Sequence, residues 1–474
     1  MVIVFLFIPK GIVKKMKRGS EKTEQKKIHK LTPAQILILG FFLVITAGAL
    51  LLMLPVSSAE GEFTPPNTAF FTATSATCVT GLITVDTGIY WSGFGRAVIL
   101  LLIQIGGLGF MSMAMMFSML LKRRVSPMER VVFVQSMNLF SGERMFSFIK
   151  KMLVFTFAFE GTGAVLLSVK FVPEFGFWSG ISKGIFHSVS AFCNAGFDIL
   201  GKSYGSFTSI EHFADDFYVN AVIGALIVCG GLGFLVWSDI IKSIKERKRL
   251  MLYSKMVLVI SGLLIAVGTA VFLVYEWNNP ETMGDASPGG KLLRASFMSV
   301  TCRTAGYATM PLGGLSGASK VFAMLLMFIG GSSGSCAGGI KTVTAGIILV
   351  SLFQIIKGNK DINIRKHRIE SGVVTRAFVL LLTAGIAILS SCFLLSLTEN
   401  AEFIDLSFEA FSAFGTVGLT TGITPTLSVL GQVIIMALMF FGRVGIITIT
   451  YVILLGINKE KIEVKYPKAN ILIG

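Results

Sequence analysis

The chain has 474 residues, 53% of them hydrophobic and 14% charged, with a formal net charge of +16 and a mean hydropathy of +0.77. So little charge cannot cover a water-soluble protein of this length, which excludes that class and indicates a polytopic membrane protein. The basic runs Lys14–Arg18, Lys122–Arg124 and Lys245–Arg249 read as orientation signals and lipid-headgroup contacts in the bilayer, not as a nucleic-acid footprint.

Residues 1–30 begin with nine apolar residues and then turn basic, the reverse of a cleavable signal peptide, and read as a cytoplasmic arm. Stretches long and apolar enough to span follow at 36–56, 97–121, 152–172, 218–238, 256–276, 321–355, 377–397 and 430–455, with only the sixth interrupted. Most Lys and Arg fall in the N-terminus, in the links after every second span and in the C-terminus, while acids dominate the other side. The positive-inside rule then places both termini in the cytoplasm of a cell-membrane protein. Six single cysteines without a C-x-x-C pair argue against a metal site or a disulfide framework.

The spans pair into four units: 31–125, 126–250, 251–365 and 366–474. In each, a segment too short to cross follows the first span. These run from Pro65-Pro66-Asn67 to Ser75, from Trp178-Ser179-Gly180 to Ser190, from Pro288-Gly289-Gly290 to Ser299, and from a candidate cap at Asp405 to Ser412. Each ends near a lone glycine, in the contexts Cys78-Val79-Thr80-Gly81-Leu82, Cys193-Asn194-Ala195-Gly196-Phe197, Arg303-Thr304-Ala305-Gly306-Tyr307 and Gly415-Thr416-Val417-Gly418-Leu419. The glycines are 115, 110 and 112 residues apart, a repeat too regular for chance.

The expected fold is therefore all-α: four pseudo-symmetric helix–pore-loop–helix units around one pore. Half-helices aimed inward present their partly negative C-terminal ends to a cation. Glycine lets a strand turn its carbonyls to the axis and lets four backbones approach. Uncharged carbonyls replace the water of a weakly hydrated cation without trapping it.

Beyond each filter glycine lies a second glycine element: Gly106-Gly107-Leu108-Gly109-Phe110, Gly230-Gly231-Leu232-Gly233-Phe234, Gly330-Gly331-Ser332-Ser333-Gly334 and Gly442-Arg443-Val444-Gly445-Ile446. In units one and two, small-residue helix packing accounts for it. In unit three the run continues through Ser335, Cys336, Ala337, Gly338 and Gly339 to Lys341. It is too rich in glycine to stay helical and reads either as a static kink or as a flexible gate below the filter. Arg443 at that depth must face water, carbonyls or a carboxylate, and in the cavity it can bond the broken segment and raise the barrier to cations. Lys341 either does the same or snorkels. Arg303 is placed behind its strand or at the outer mouth, because a charge on the axis would block cations. Glu160 is expected to pair with a basic or hydroxyl group, and His187 to pack on the second half-helix. Asp86 and Asp198 are expected to concentrate cations at the outer vestibule.

This pattern resembles the superfamily of K+ transporters that includes the Trk, Ktr and HKT proteins, and with eight spans it looks like a Ktr membrane subunit. The resemblance implies K+ held at Thr80, Gly81, Gly196, Gly306 and Gly418, a gating loop at 330–339, and contact between Arg443 and that loop. It also implies a homodimer with one pore per subunit, on a cytoplasmic ring of nucleotide-binding regulatory subunits, with the basic loops 122–151, 242–255 and 357–376 available for docking. Some members are Na+-stimulated, which the residues here do not decide. Preference for K+ over Na+ rests on the resemblance, since only Thr416-Val417-Gly418 approaches the TVGYG filter of tetrameric channels. An alternating-access symporter is the competing function, disfavoured because all four units run in one sense. An enzyme is disfavoured by four scattered histidines and the lack of a reactive cluster.

Overall fold

The computed structural model describes residues 32–120, 127–136, 145–359, 361–365 and 367–445. The expected arm at 1–30, the runs Lys14–Arg18 and Lys122–Arg124, and the chain beyond 445 lie outside these residues.

Four helices are long and apolar enough to cross a bilayer: α1 (Pro33–Leu52), α5 (Met145–Phe175), α9 (Leu252–Glu276) and α13 (Ser371–Thr398). They are the first helices of the four units. Large apolar side chains on them lie bare, among them Phe157 at 60%, Leu263 at 60% and Leu389 at 67% exposed. Such a surface suits lipid and not water.

Each is followed by a short helix: α2 (Pro66–Cys78), α6 (Phe177–Phe192), α10 (Pro288–Thr301) and α14 (Phe403–Gly415). Pro66 opens α2, and the Ser287 hydroxyl caps α10 by accepting from Gly290 N. Asp405 does not cap α14. It lies inside the first turn and pairs with Lys320 of unit three at 2.9 Å.

The second helices depart from the expected uninterrupted spans. In unit one, α3 (Gly93–Leu108) meets α4 (Phe110–Leu120) at 97°; in unit two, α7 (Phe217–Leu232) meets α8 (Phe234–Glu246) at 92°. The corners are Gly109 and Gly233, with φ of 82° and 86°, a region that side-chained residues avoid. In unit three, α11 (Gly317–Phe328) and α12 (Thr342–Ile356) are separated by the non-helical residues 329–341, as expected. In unit four, α15 (Val429–Val444) ends on Gly445, φ 94°. Small-residue packing is present as well. A Cβ on Gly106, Gly230 or Gly442 would collide with the carbonyl of Thr77, Phe192 or Phe414, each four residues before Gly81, Gly196 or Gly418. The second helices thus seat their backbones directly against the ends of the short helices.

Candidate functional site

All four short helices end the same way, two or three residues beyond the sequence expectation. The residue two before each glycine is left-handed: Val79 (φ 58°), Asn194 (60°), Thr304 (71°) and Thr416 (51°). Three of these are β-branched, for which that conformation costs about 1–2 kcal/mol. The next N–H turns back onto the helix and holds the bend: Thr80 to Ser75 O at 2.8 Å, Ala195 to Ser190 O at 2.7 Å, Ala305 to Thr301 O at 3.0 Å, Val417 to Ser412 O at 2.8 Å. Such over-determined strain collects at functional sites.

The bend delivers the four glycines to one place. All have positive φ, from 67° to 96°. A Cβ on Gly81 would press on Ala195 O at 2.5 Å, and one on Gly196 on Ala305 O at 2.7 Å; on Gly306 and Gly418 it would meet Val417 O and Thr80 O more closely still. Each glycine therefore abuts the carbonyl just before the next glycine, and the fourth returns to the first. The four strands close a ring. All four glycines also line one cavity of about 370 Å³, together with Asp198, Glu211 and Thr420.

The strands differ one step further out. Ser75 Oγ and Ser412 Oγ accept from the N–H groups of Gly81 and Gly418, at 3.0 and 3.1 Å. In units two and three the hydroxyl donates instead: Ser190 to Phe197 O at 2.8 Å and Thr301 to Tyr307 O at 2.7 Å.

Of the acids expected at the vestibule, Asp198 lines it and Asp86 does not. Asp86 accepts from Ile89 N and Phe207 N, both at 2.9 Å, and borders a separate outer groove. Glu211 was not legible in the sequence, since it reaches the vestibule from a loop far along the chain. Burial lifts Asp198 to about 6, with the Asp86 charge adding to it, and burial alone lifts Glu211 to about 7.

Residues 329–341 form a tied loop and not a slack one. Ile329 and Ile340 make a parallel bridge. The Ser332 and Cys336 N–H groups reach Gly231 O and Gly230 O at 3.0 and 3.3 Å, and Phe234 N donates to Gly334 O at 3.1 Å. Tyr253 Oη donates to Ser333 O at 3.0 Å. The corner at Gly233 therefore exposes the backbone groups that hold the loop. Gly338 and Gly339 lie against Thr416 and Gly415 of the fourth strand. Arg443 bonds the loop through Cys336 O and reaches Gly106 O and Gly107 O at the end of α3. Lys341 is turned onto the loop, donating to Ala337 O at 2.7 Å. Arg303 is buried behind its strand, donating to Gly330 O and Thr342 Oγ1 at 3.4 and 3.2 Å. Glu160 finds an amide and a thiol where a basic or hydroxyl partner was expected: Gln104 Nε2 at 3.3 Å and Cys193 Sγ at 3.6 Å. His187 packs on α6, fully buried, with Nδ1 2.8 Å from Lys183 O.

A family model described as TrkH, cation transport protein, matches residues 1–463. The chain belongs to the TrkH family of cation transport proteins. It is a multi-pass membrane transporter and not an enzyme. Curated relatives of this TrkH-family chain include the potassium/sodium uptake protein NtpJ of Enterococcus hirae, 42% identical over 95% of this chain and 99% of that one. The Ktr system potassium uptake protein B of Bacillus subtilis is 37% identical over 96% and 99%. The crystal structure of the potassium transporter TrkH from Vibrio parahaemolyticus shares the fold, with a TM-score of 0.70 and 16% identity, covering 91% of this chain and 86% of that one.

Proposed function

We propose that this chain is the pore-forming subunit of a K+ uptake system, conducting K+ through a filter of backbone carbonyls contributed by its four units. The observation that carries this reading is the closed ring in which each filter glycine abuts the carbonyl before the next. Carbonyls packed that closely around one axis suit a dehydrated monovalent cation. The filter residues are Cys78 to Gly81, Cys193 to Gly196, Arg303 to Gly306 and Gly415 to Gly418, with the Arg303 side chain directed away from the axis. K+ is held at Thr80, Gly81, Gly196, Gly306 and Gly418. Residues 330–339, clamped by Arg443, are the gate.

The names of the relatives support K+ as the cargo and leave Na+ as a co-ion or stimulant. A homodimer with cytoplasmic nucleotide-binding regulatory subunits, and with both termini on that side, completes the reading. The deciding experiment is flux into proteoliposomes, comparing K+, Rb+, Na+ and Li+. Saturable K+ and Rb+ flux exceeding that of Na+ and Li+ is expected. Equal passage of all four, or none from correctly inserted protein, overturns it.

A further inference from the structure

The carbonyls one residue beyond the filter glycines are not equivalent. Phe197 O accepts from Ser190 Oγ behind its strand at 2.8 Å and from Tyr307 Oη of the next unit at 3.0 Å. Both of its lone pairs are occupied, and the oxygen is drawn back toward α6. Tyr307 O accepts from Thr301 Oγ1 at 2.7 Å and is drawn toward α10. The matching hydroxyls of Ser75 and Ser412 take hydrogen bonds from the glycine N–H groups instead. Leu82 O and Leu419 O accept no hydrogen bond among the described residues, although both residues are buried. A buried carbonyl without a protein partner must face water or a cation. Leu419 borders the vestibule, as do Gly81 and Ile83 on either side of Leu82, whereas Leu82, Phe197 and Tyr307 themselves do not.

We propose that the outermost coordination plane of the filter is half built, and that Ser190, Thr301 and Tyr307 are the specificity-determining residues that make it so. They withdraw two adjacent carbonyls and leave Leu82 and Leu419 to serve the other side. A cation at this level keeps part of its water, with Asp198 and Thr420 of the vestibule close by, and sheds the rest at the glycine ring. The inference rests on the K+ pathway proposed above. Its consequence is a weak outer site, so that affinity for external K+ is limited by two absent oxygens and not by the ring itself.

Removing the withdrawing hydroxyls tests this. Ser190→Ala combined with Tyr307→Phe frees Phe197 O to turn inward, and Thr301→Val frees Tyr307 O. Ser75→Ala and Ser412→Ala remove matched hydroxyls that hold no carbonyl back. Saturable K+ uptake is measured for the full chain in a K+-uptake-deficient strain, with membrane insertion checked by surface labelling. The first two variants are expected to lower the half-saturating K+ concentration about three- to ten-fold, the scale of one hydrogen-bonding oxygen gained. The two serine controls are expected not to lower it. If all the variants shift alike, or all lose uptake while still inserted, the hydroxyls merely hold the filter's shape and the proposal is overturned. If none shifts, the two carbonyls do not limit affinity and it is overturned too. A wild-type chain that carries Na+ as well as K+, with the two sets of variants still diverging, would sink the K+ reading while leaving the half-built plane intact.

Discussion

The guanidinium of Arg443 is bonded to the carbonyl oxygen of Cys336, joining the fourth unit to the intramembrane loop of the third. The same group reaches Gly106 and Gly107 of the first unit. One side chain thus ties together three parts of the chain, and in the proposed pathway it places a fixed positive charge beside the ion. Hydrogen bonds from a charged donor contribute about 1.5–3 kcal/mol each. Arg443→Gln is expected to raise Rb+ uptake at saturating concentration by about ten-fold, the factor that about 1.4 kcal/mol represents. Deleting 332–338 is expected to act in the same direction. Unchanged uptake in both variants rejects the gate.

Gly81, Gly196, Gly306 and Gly418 combine positive φ with contact against a neighbouring carbonyl, so an added methyl group meets strain and collision together. Gly306→Ser and Gly418→Ser should abolish growth rescue at micromolar to low-millimolar K+ while leaving membrane insertion intact. The strain alone is about 1–2 kcal/mol per site, too small to unfold a large membrane protein but applied at the coordinating ring. Wild-type growth of either variant removes that glycine from the filter.

The meeting of the four loop glycines was legible because glycine is chemically conspicuous and the spacing repeats. Gly81, Gly196, Gly306 and Gly418 meet as expected, and Arg443 contacts the loop as expected. The breaks at Gly109 and Gly233 were not read, although each is the third glycine of its element and is followed by Phe. Apolar composition on both sides of a corner looks like one continuous span, because hydropathy does not record direction. The roles of Asp86 and Glu211 were hidden for another reason. Which acid faces the vestibule is set by how outer loops fold over the pore mouth, and a carboxylate within hydrogen-bond reach of two backbone N–H groups, as Asp86 is, becomes structural.

The vestibule acids predict a pH dependence whose sign is fixed. Asp198 and Glu211 lie outside the long membrane-crossing helices, with burial raising them to about 6 and about 7. Asp86 reinforces the shift at Asp198 and Lys183 opposes it. On acidification from pH 8 to pH 5 both become neutral, and the negative potential that gathers cations fades. The half-saturating K+ concentration should rise over that window. Glu211→Gln should flatten the upper part of the rise and Asp198→Asn the lower part. Thermal stability should rise over the same acidification, while affinity falls. The folded state holds these protons at a pH where the unfolded chain has released them, so these groups favour folding more as pH falls. Uptake that is flat between pH 5 and 8 in the wild type contradicts the assignment.

The loop's neutral tethers provide a graded test of gating. Tyr253 Oη donates to Ser333 O at 3.0 Å, an uncharged hydrogen bond from the start of α9. Its net contribution is about 0.5–1.5 kcal/mol, less than that of the charged bonds of Arg443. If both act on one closed-to-open equilibrium, Tyr253→Phe should raise saturating Rb+ uptake by about five-fold, the factor for a central net contribution of about 1 kcal/mol, in the same direction as Arg443→Gln. Gly233→Ala should exceed Tyr253→Phe. A side chain there meets Ser332 Oγ and the carbonyls of Ser333 and Gly334, and the φ of 86° resists alanine, so the corner and its loop contacts give way together. Measured side by side, the order of effect should be Tyr253→Phe, then Gly233→Ala and Arg443→Gln, all above wild type. If Tyr253→Phe or Gly233→Ala lowers uptake while Arg443→Gln raises it, the tethers do not hold the closed state and only the arginine's charge limits flux.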